Sequence, residues 1–339
     1  MFLYLKEIEA YHRSLLLKFL LHLLTLQSII LTFRIKMVLR ASYLLSLCFC
    51  LLAVVGMGQT YEIEWEKTFG TDKDDRLFGI IPVPNQNRYI LYGYSEGGAS
   101  FDRTDFNRGS ADIWLLCIDE RGNKIWDKAY GSTDLDQIIN MCLAPDGSGF
   151  VLVGYTCGNN PNNEVSQLGK GGCDFWVIKI DFNGNKIWDR RYGGTNPDEG
   201  LSIAPTPDKG YIVAGTTRSG LGGDITTPNF NPGVNNQMPE FSDVWVIKID
   251  SNGNLIWEMR LGGDKSDGMF LDGSTNVFAI TPSKGDIWLS FSSNSDKSGT
   301  INNPTRGDFD WLLYKLDDSG NILNQWRYGG NRRYIYIIS

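Results

Sequence analysis

The 339-residue sequence predicts an all-β chain made of four-stranded antiparallel β-propeller blades. Three observations predict it. A strand motif, Asp-x-Trp followed by apolar residues, Lys and a second Asp, recurs down the chain. Each copy runs into a glycine turn and a second tryptophan strand, with tryptophans 61, 62 and 69 residues apart (Trp65, Trp126, Trp188, Trp257). No helical periodicity appears within the repeats. Internal repetition at this period, in units too small to bury their own faces, is the signature of a propeller.

In order, a leading strand spans Glu62 to Gly70, with Trp65, and resembles the outer strand of later copies. The motif strands are Asp112–Asp119, Asp174–Asp181 and Asp243–Asp250, with a fourth, Asp310–Asp317, whose tryptophan is shifted to Trp311. Turns at Gly122, Gly184, Gly253 and Gly320 follow, supplying the positive φ of tight hairpins. Trp126, Trp188 and Trp257 mark the next strand, with Asn324 in the fourth copy. Short apolar runs such as Tyr211–Gly215 and Phe150–Gly154 read as strands buried on both faces. Alternation within Trp-Val-Ile-Lys-Ile-Asp instead predicts a strand with one wetter side. Lettering strands A to D from the axis outward, A is Leu201–Ala204, B Tyr211–Gly215, C Trp245–Asp250 and D Leu255–Leu261 in the clearest copy. Blades then cover about 71–131, 132–194, 195–263 and 264–330. The A–B and C–D turns are tight and share one face. The B–C connections (Glu96–Ala111, Cys157–Cys173, Arg218–Ser242, Ser293–Phe309) are long, dissimilar and on the other. Variable loops on a rigid frame are where binding concentrates. Four blades plus a spare leading strand read either as an incomplete propeller, a fragment of a larger ring with an apolar flank left open, which is the favoured reading, or as a four-bladed ring in which Glu62–Gly70 is redundant.

Two apolar stretches precede the repeats. Residues 37–58, with Arg40, the apolar run Tyr43–Met57 and a small-residue end, have the layout of a secretory signal peptide cleaved after Gly58. Residues 1–36 read either as an upstream, mis-called start or as a membrane segment, with Arg34, Lys36 and Arg40 on the cytoplasmic side. Both readings export residues 59–339, placing them outside the cell or on its surface; the membrane is touched only through an uncleaved N-terminus. Six of the 32 basic and two of the 39 acidic side chains lie before residue 59, leaving 26 against 37, a net of −11 for the repeats. That surface repels phosphate backbones and speaks against a nucleic-acid partner. Both histidines, His12 and His22, lie in the leader, so the repeats hold no His-based triad or metal site.

The units resemble the secreted repeat proteins of Bacteroidota, whose repeats read Asp-x-Trp-Val-x-Lys-Ile-Asp-x-x-Gly-Asn-x-x-Trp-x-x-x-Tyr-Gly-Gly. The match runs from about Glu62 to Gly330 and recurs four times. The resemblance implies a β-propeller displayed at the cell surface, often ending in a sorting domain for type IX secretion, which is absent here. It implies no catalytic residue. The Asp box of sialidase-like propellers and the hairpin of quinone-dependent dehydrogenases come near but differ in Asp, Gly and Trp spacing.

Asp75, Asp136, Asp198 and Asp267 each follow the glycine that closes the previous unit by five residues. Placed at the start of strand A, they should line one end of the central channel. They form either a carboxylate ring for Ca²⁺ or, since one site rarely repeats in every copy, acceptors for the N–H groups of their own turns. Asp119, Asp181, Asp250 and Asp317 read as turn formers, and Asp112, Asp174, Asp243 and Asp310 as structural ends of the long loops. The tryptophans are sugar platforms or, at strand positions repeated in register, packing between blades. Cys157 and Cys173 bracket one B–C loop and are expected to form a disulfide contributing roughly 3 kcal/mol. Cys117 and Cys142 are expected to be free and buried. No cofactor other than Ca²⁺ is suggested.

The leading function expected is a surface binding module for protein or glycan at the variable B–C face. An enzyme is the less favoured class: a carboxylate glycosidase or lyase would need non-repeated acids, such as Asp224 or Glu240, which have no recognisable partner. A purely structural envelope protein is the third reading.

Overall fold

A computed structural model of the protein describes residues 62–162, 164–231, 241–268, 277–280 and 285–330. The chain divides into two compact units, Met1–Glu64 and Trp65–Ser339, and the described residues belong almost wholly to the second. The leader expectations for residues 1–58, Asn331–Ser339 and Glu240 lie outside the described residues.

Sixteen strands are described, in four antiparallel sheets whose order follows the chain. The first blade holds β1 (Asp75–Pro82), β2 (Arg88–Ser95), β3 (Asp112–Asp119) and β4 (Lys124–Tyr130). The second holds β5 (Asp136–Leu143), β6 (Phe150–Thr156), β7 (Asp174–Ile180) and β8 (Lys186–Tyr192). The third holds β9 (Asp198–Pro205), β10 (Tyr211–Thr217), β11 (Asp243–Ile249) and β12 (Leu255–Leu261), and the fourth β13 (Val277–Ile280), β14 (Ile287–Ser293), β15 (Asp310–Leu316) and β16 (Ile322–Tyr328). This is the predicted all-β series of four-stranded blades, an incomplete propeller. Strand A of the third blade is longer than expected. The register slips by one residue at Gly215, and the β9–β10 ladder continues to Thr217↔Asp198.

Three apolar cores fill the three junctions between successive blades. The second–third core brings Val151, Val153 and Phe175 against Ile203, Tyr211, Val213 and Trp245. There the Phe175 and Trp245 rings are tilted at 56° with centroids 4.8 Å apart. The other two cores join the first blade to the second and the third to the fourth. Because both faces of a middle blade meet a neighbour, β7 and β11 are buried along their whole length, against the expected wetter side. Their lysines reach out at the hairpin end and pair there: Lys179 Nζ lies 2.6 Å from Asp146, and Lys248 Nζ lies 2.8 Å from Asp208 and 2.6 Å from Asp318 of the next blade. A buried aliphatic stem with a charged tip at the rim resolves the apparent alternation.

The outer-strand tryptophans bind blade to blade. A Cβ on Gly184 would lie 2.8 Å from the Trp126 ring, one on Gly253 3.1 Å from Trp188, and one on Gly320 3.5 Å from Trp257. These hairpin glycines also hold φ of +75°, +77° and +83°, so Gly184 and Gly253 are required twice over and Gly320 by its backbone conformation. Tyr130 and Tyr192 add hydroxyl bonds to the carbonyls of Gly184 and Gly253. Tyr328 is exposed, paired across the ladder with the exposed Trp311 of β15. Trp311 faces out because its one-residue shift turns it to the other side of β15, leaving Leu312 in the core position. Leu77, Phe78 and Ile80 are exposed on the first blade. The leading stretch forms no ladder, unlike the later outer strands. Its tryptophan still packs in the expected place, since a Cβ on Gly122 would lie 2.8 Å from the Trp65 ring.

Candidate functional site

The candidate site is the face carrying the B–C loops. Strand alternation puts these loops beside the connections between blades, and hydrogen bonds join the two sets. Asn162 donates to the Gly131 carbonyl at 3.0 Å, and the Gly193 N–H reaches Asp224 at 3.0 Å. The Gly262 N–H reaches Thr300 at 2.9 Å.

Each loop is tied at its foot by a buried ion pair. Arg191 of β8 lies 2.6 Å from Asp174 at the start of β7, Arg260 of β12 lies 2.8 Å from Asp243, and Arg327 of β16 lies 2.9 Å from Asp310. The same guanidiniums donate to carbonyls two residues past strand B: Gly158 at 2.5 Å, Ser219 at 2.6 Å and Ser295 at 2.6 Å. In the first blade the outer-strand position is Ala129, and Arg103 from the loop supplies the guanidinium instead. It lies 2.8 Å from Asp112 and donates to Ser95, Gly97 and Phe106 carbonyls. The four carboxylates also accept a loop N–H each, from Arg108, Lys170, Phe230 and Arg306. Burial raises the Asp112 and Asp174 carboxyls, and the paired arginines pull them back.

A second tie holds each loop midway. The residue after the outer tryptophan position (Asp127, Asp189, Glu258, Gln325) accepts the N–H of Thr104, Ser166, Thr226 or Asn302 at 2.8–2.9 Å. Three of these acids also take the indole N–H of the inner tryptophans, Trp114, Trp176 and Trp245. Neighbouring loops are joined laterally, with Arg108 3.8 Å from Glu164 and Lys170 paired with Asp224, and Asn231 donates to the Asp264 carbonyl in the connection between the third and fourth blades. Neither set of ties was foreseen in the sequence. The signal present was an arginine three residues past the outer tryptophan position in three of the four copies, at Arg191, Arg260 and Arg327.

Asp136, Asp198 and Asp267 are fully buried and face no open channel, whereas Asp75 is partly exposed. Each binds its own inter-blade turn. N–H groups of Thr71, Ser132, Gly194 and Gly263 donate to Asp75, Asp136, Asp198 and Asp267 at 2.5–2.7 Å. Hydroxyls of Thr71, Ser132, Ser219 and Ser295 add to them. Burial pushes Asp136 and Asp198 up to about 6 and Asp267 to about 7, against these bonds. Among the described residues, no three His, Cys, Asp or Glu side chains gather as a metal site would need. Asp119, Asp181, Asp250 and Asp317 each accept two N–H groups of their own hairpin. Asp224, the enzyme candidate, is held by Lys170 and the Gly193 N–H.

Cys157 and Cys173 are joined, with an S–S distance of 2.00 Å, closing the second B–C loop at its base. Cys117 and Cys142 are free; Cys117 is buried and Cys142 partly so. Burial pushes their thiols to about 11 and 12, which makes both poor nucleophiles. On this tied framework the loops raise apolar side chains into solvent. Phe101 is 84% exposed, and Phe106, Leu168 and Leu221 are each 64% exposed.

No family model matches the chain. It is 25% identical over 201 residues to the regulatory protein FlaEY of Caulobacter vibrioides, covering 59% of this chain and 20% of that one. It is 24% identical over 326 residues to the WD repeat-containing protein L264 of Acanthamoeba polyphaga mimivirus, covering 77% of this chain and 23% of that one. The chain thus spans a fifth to a quarter of the curated relatives it matches. Among solved structures, Synechocystis apocarotenoid oxygenase aligns at 12% identity and TM-score 0.35, over 76% of this chain and 51% of that one. Kuenenia stuttgartiensis hydrazine synthase aligns at 11% and 0.38, over 79% and 69%. At these scores the two structural likenesses carry no argument.

Proposed function

We propose that this protein is an exported binding module whose B–C loop face captures a macromolecular ligand, protein or glycan, at the cell surface. The observation that carries the reading is the pairing of rigid ties with protruding apolar groups. Loops fixed at foot and middle lose little entropy on binding, and exposed Phe and Leu side chains are the anchors an interface buries. Four exposed large apolar residues in three adjacent loops exceed the scatter of single apolar residues normal for a surface. The likeness to a WD repeat-containing protein supports a scaffold that mediates interactions. The layout of residues 37–58 and the resemblance to secreted Bacteroidota repeats support export.

Pull-down from surface proteins and a glycan array, each with the full chain and with Phe101→Ser/Phe106→Ser/Leu168→Ser/Leu221→Ser, test the proposal. A ligand retained by the parent and lost, at least ~10-fold, by the quadruple variant is expected, since each anchor contributes on the order of 1 kcal/mol or more. Equal retention by both defeats the loop-face reading. Sequencing the N-terminus of the secreted protein tests export, with Gln59 as the expected first residue.

A further inference from the structure

Three of the B–C loops carry the same four-residue turn near their start: Ser100–Arg103 in the first blade, Gly222–Ile225 in the third and Ser298–Ile301 in the fourth. The last residue of each donates its N–H to the carbonyl of the first, at 3.0, 3.1 and 2.8 Å. The third residue binds the connection between blades in both directions. The N–H groups of Asp102, Asp224 and Thr300 reach the carbonyls of Gly70, Gly193 and Gly262 at 3.2, 2.9 and 2.9 Å. Their side chains accept the N–H groups of the same three glycines at 2.9–3.0 Å. The corresponding residue of the second loop, Asn163, lies outside the described residues.

The second residue of this turn has a left-handed backbone, with φ of +45° at Phe101, +61° at Gly223 and +55° at Gly299. A Cβ on Gly223 would lie 2.2 Å from the Gly193 carbonyl oxygen, and one on Gly299 2.4 Å from that of Gly262. Glycine is the residue this turn calls for, and a bulky side chain at such a φ is strained. The first blade nevertheless carries a phenylalanine, and Phe101 is 84% exposed, so burial within the chain does not offset the strain. The backbone on either side is fixed. Ser100 exchanges hydrogen bonds with Asp72 at 3.0 and 3.2 Å, and Lys124 donates to the Asp102 carbonyl at 2.7 Å. Arg103 carries the buried tie to Asp112. Backbone strain held in place by its surroundings, with no return inside the fold, points to a role outside it.

We propose that Phe101 is the principal anchor of the loop face, a fixed ring that inserts into an apolar pocket on a protein ligand. The inference rests on the loop-face reading and narrows its ligand to protein. A sugar platform lies flat, with polar groups beside it to bond the hydroxyls. A ring that stands out from the tip of a turn is buried only by a partner that surrounds it, and phenylalanine has no polar tip to satisfy there. Phe106, by contrast, already has the Arg108 guanidinium 4.7 Å from its ring centre. A rigid aromatic side chain that fills a desolvated pocket is the kind of residue that dominates a protein interface.

The test compares the full chain with Phe101→Gly and Leu221→Ser. The probes are a surface-protein extract and a glycan array, and the protein that the parent retains is purified before affinities are measured. Phe101→Gly is expected to unfold in urea at the same or a higher concentration than the parent, because the strain is relieved. It should also bind the purified protein at least ~10-fold more weakly, a larger loss than that of Leu221→Ser. A lower urea midpoint overturns the inference, since the side chain then supports its own loop. So does an affinity equal to the parent's, or a loss matched by Leu221→Ser. Retention of glycan alone overturns the inference but leaves the loop face standing, which falls only if the quadruple variant also binds as the parent does. A parent that retains neither protein nor glycan overturns both.

Discussion

The exchange of Arg103 for Ala129's missing guanidinium is the sharpest internal test of the loop ties. In three blades an arginine from the outer strand neutralises the aspartate at the foot of the loop. In the first, Ala129 pairs with Trp114 in the register that sets Arg191 opposite Trp176 and Arg260 opposite Trp245, and Arg103 comes from the loop. Both side chains of the Arg103–Asp112 pair are 0% exposed. Arg103→Ala leaves a buried carboxylate without its main partner, a change that costs about 3–5 kcal/mol. Arg108, 3.5 Å from Asp112, remains to screen it, which favours the lower end, about 3 kcal/mol. With a urea m-value of about 2–3 kcal/mol/M, the unfolding midpoint should fall by roughly 1–1.5 M, followed by tryptophan fluorescence and circular dichroism. Adding Ala129→Arg should then recover most of the loss, because a guanidinium from position 129 reaches the volume Arg103 vacates. A double variant as unstable as Arg103→Ala refutes the equivalence. A single variant within about 0.5 kcal/mol of the parent, the range of an ordinary surface change, refutes the importance of the tie altogether.

The same reasoning extends to the disulfide and to pH. Cys157→Ser/Cys173→Ser should lower stability by about 3 kcal/mol, from a cross-link spanning 16 residues, with melting of the reduced parent matching the variant; unchanged melting refutes it. Asp198, raised to about 6, binds its proton more tightly in the folded than in the unfolded chain, whose carboxyls titrate near an ordinary ~3.9. Its contribution is therefore full below about pH 4 and is lost as pH rises through 6, with a ceiling of roughly 3 kcal/mol for a shift of this size. Asp198→Asn should flatten the fall in stability between about pH 4 and 7, and an unaltered pH profile would count against the assignment.

Much of this was legible in the chain itself. Strand identity, blade order, the hairpin glycines and the turn aspartates follow from repetition, because a motif recurring in register must meet the same neighbours each time. Cys157 and Cys173 were pairable from their position at the two ends of one loop. The loop ties were harder to read. Arg191, Arg260 and Arg327 recur, but a lone arginine on an outer strand gives no hint that it turns inward past strand C. Ala129 hid the pattern further by breaking it in the first copy.

The sequence by itself determined the repeated four-stranded unit, its approximate boundaries and the face on which the dissimilar loops lie, since these depend on local period and turn chemistry. Tertiary structure alone decided that Asp136, Asp198 and Asp267 are buried in blade junctions instead of facing a channel, that Lys179 and Lys248 bury their stems, and that Arg103 serves in place of an outer-strand arginine. The physical reason is the same in each case. Burial and charge pairing depend on what a neighbouring blade or a distant loop places against a side chain, and linear spacing carries no record of that contact.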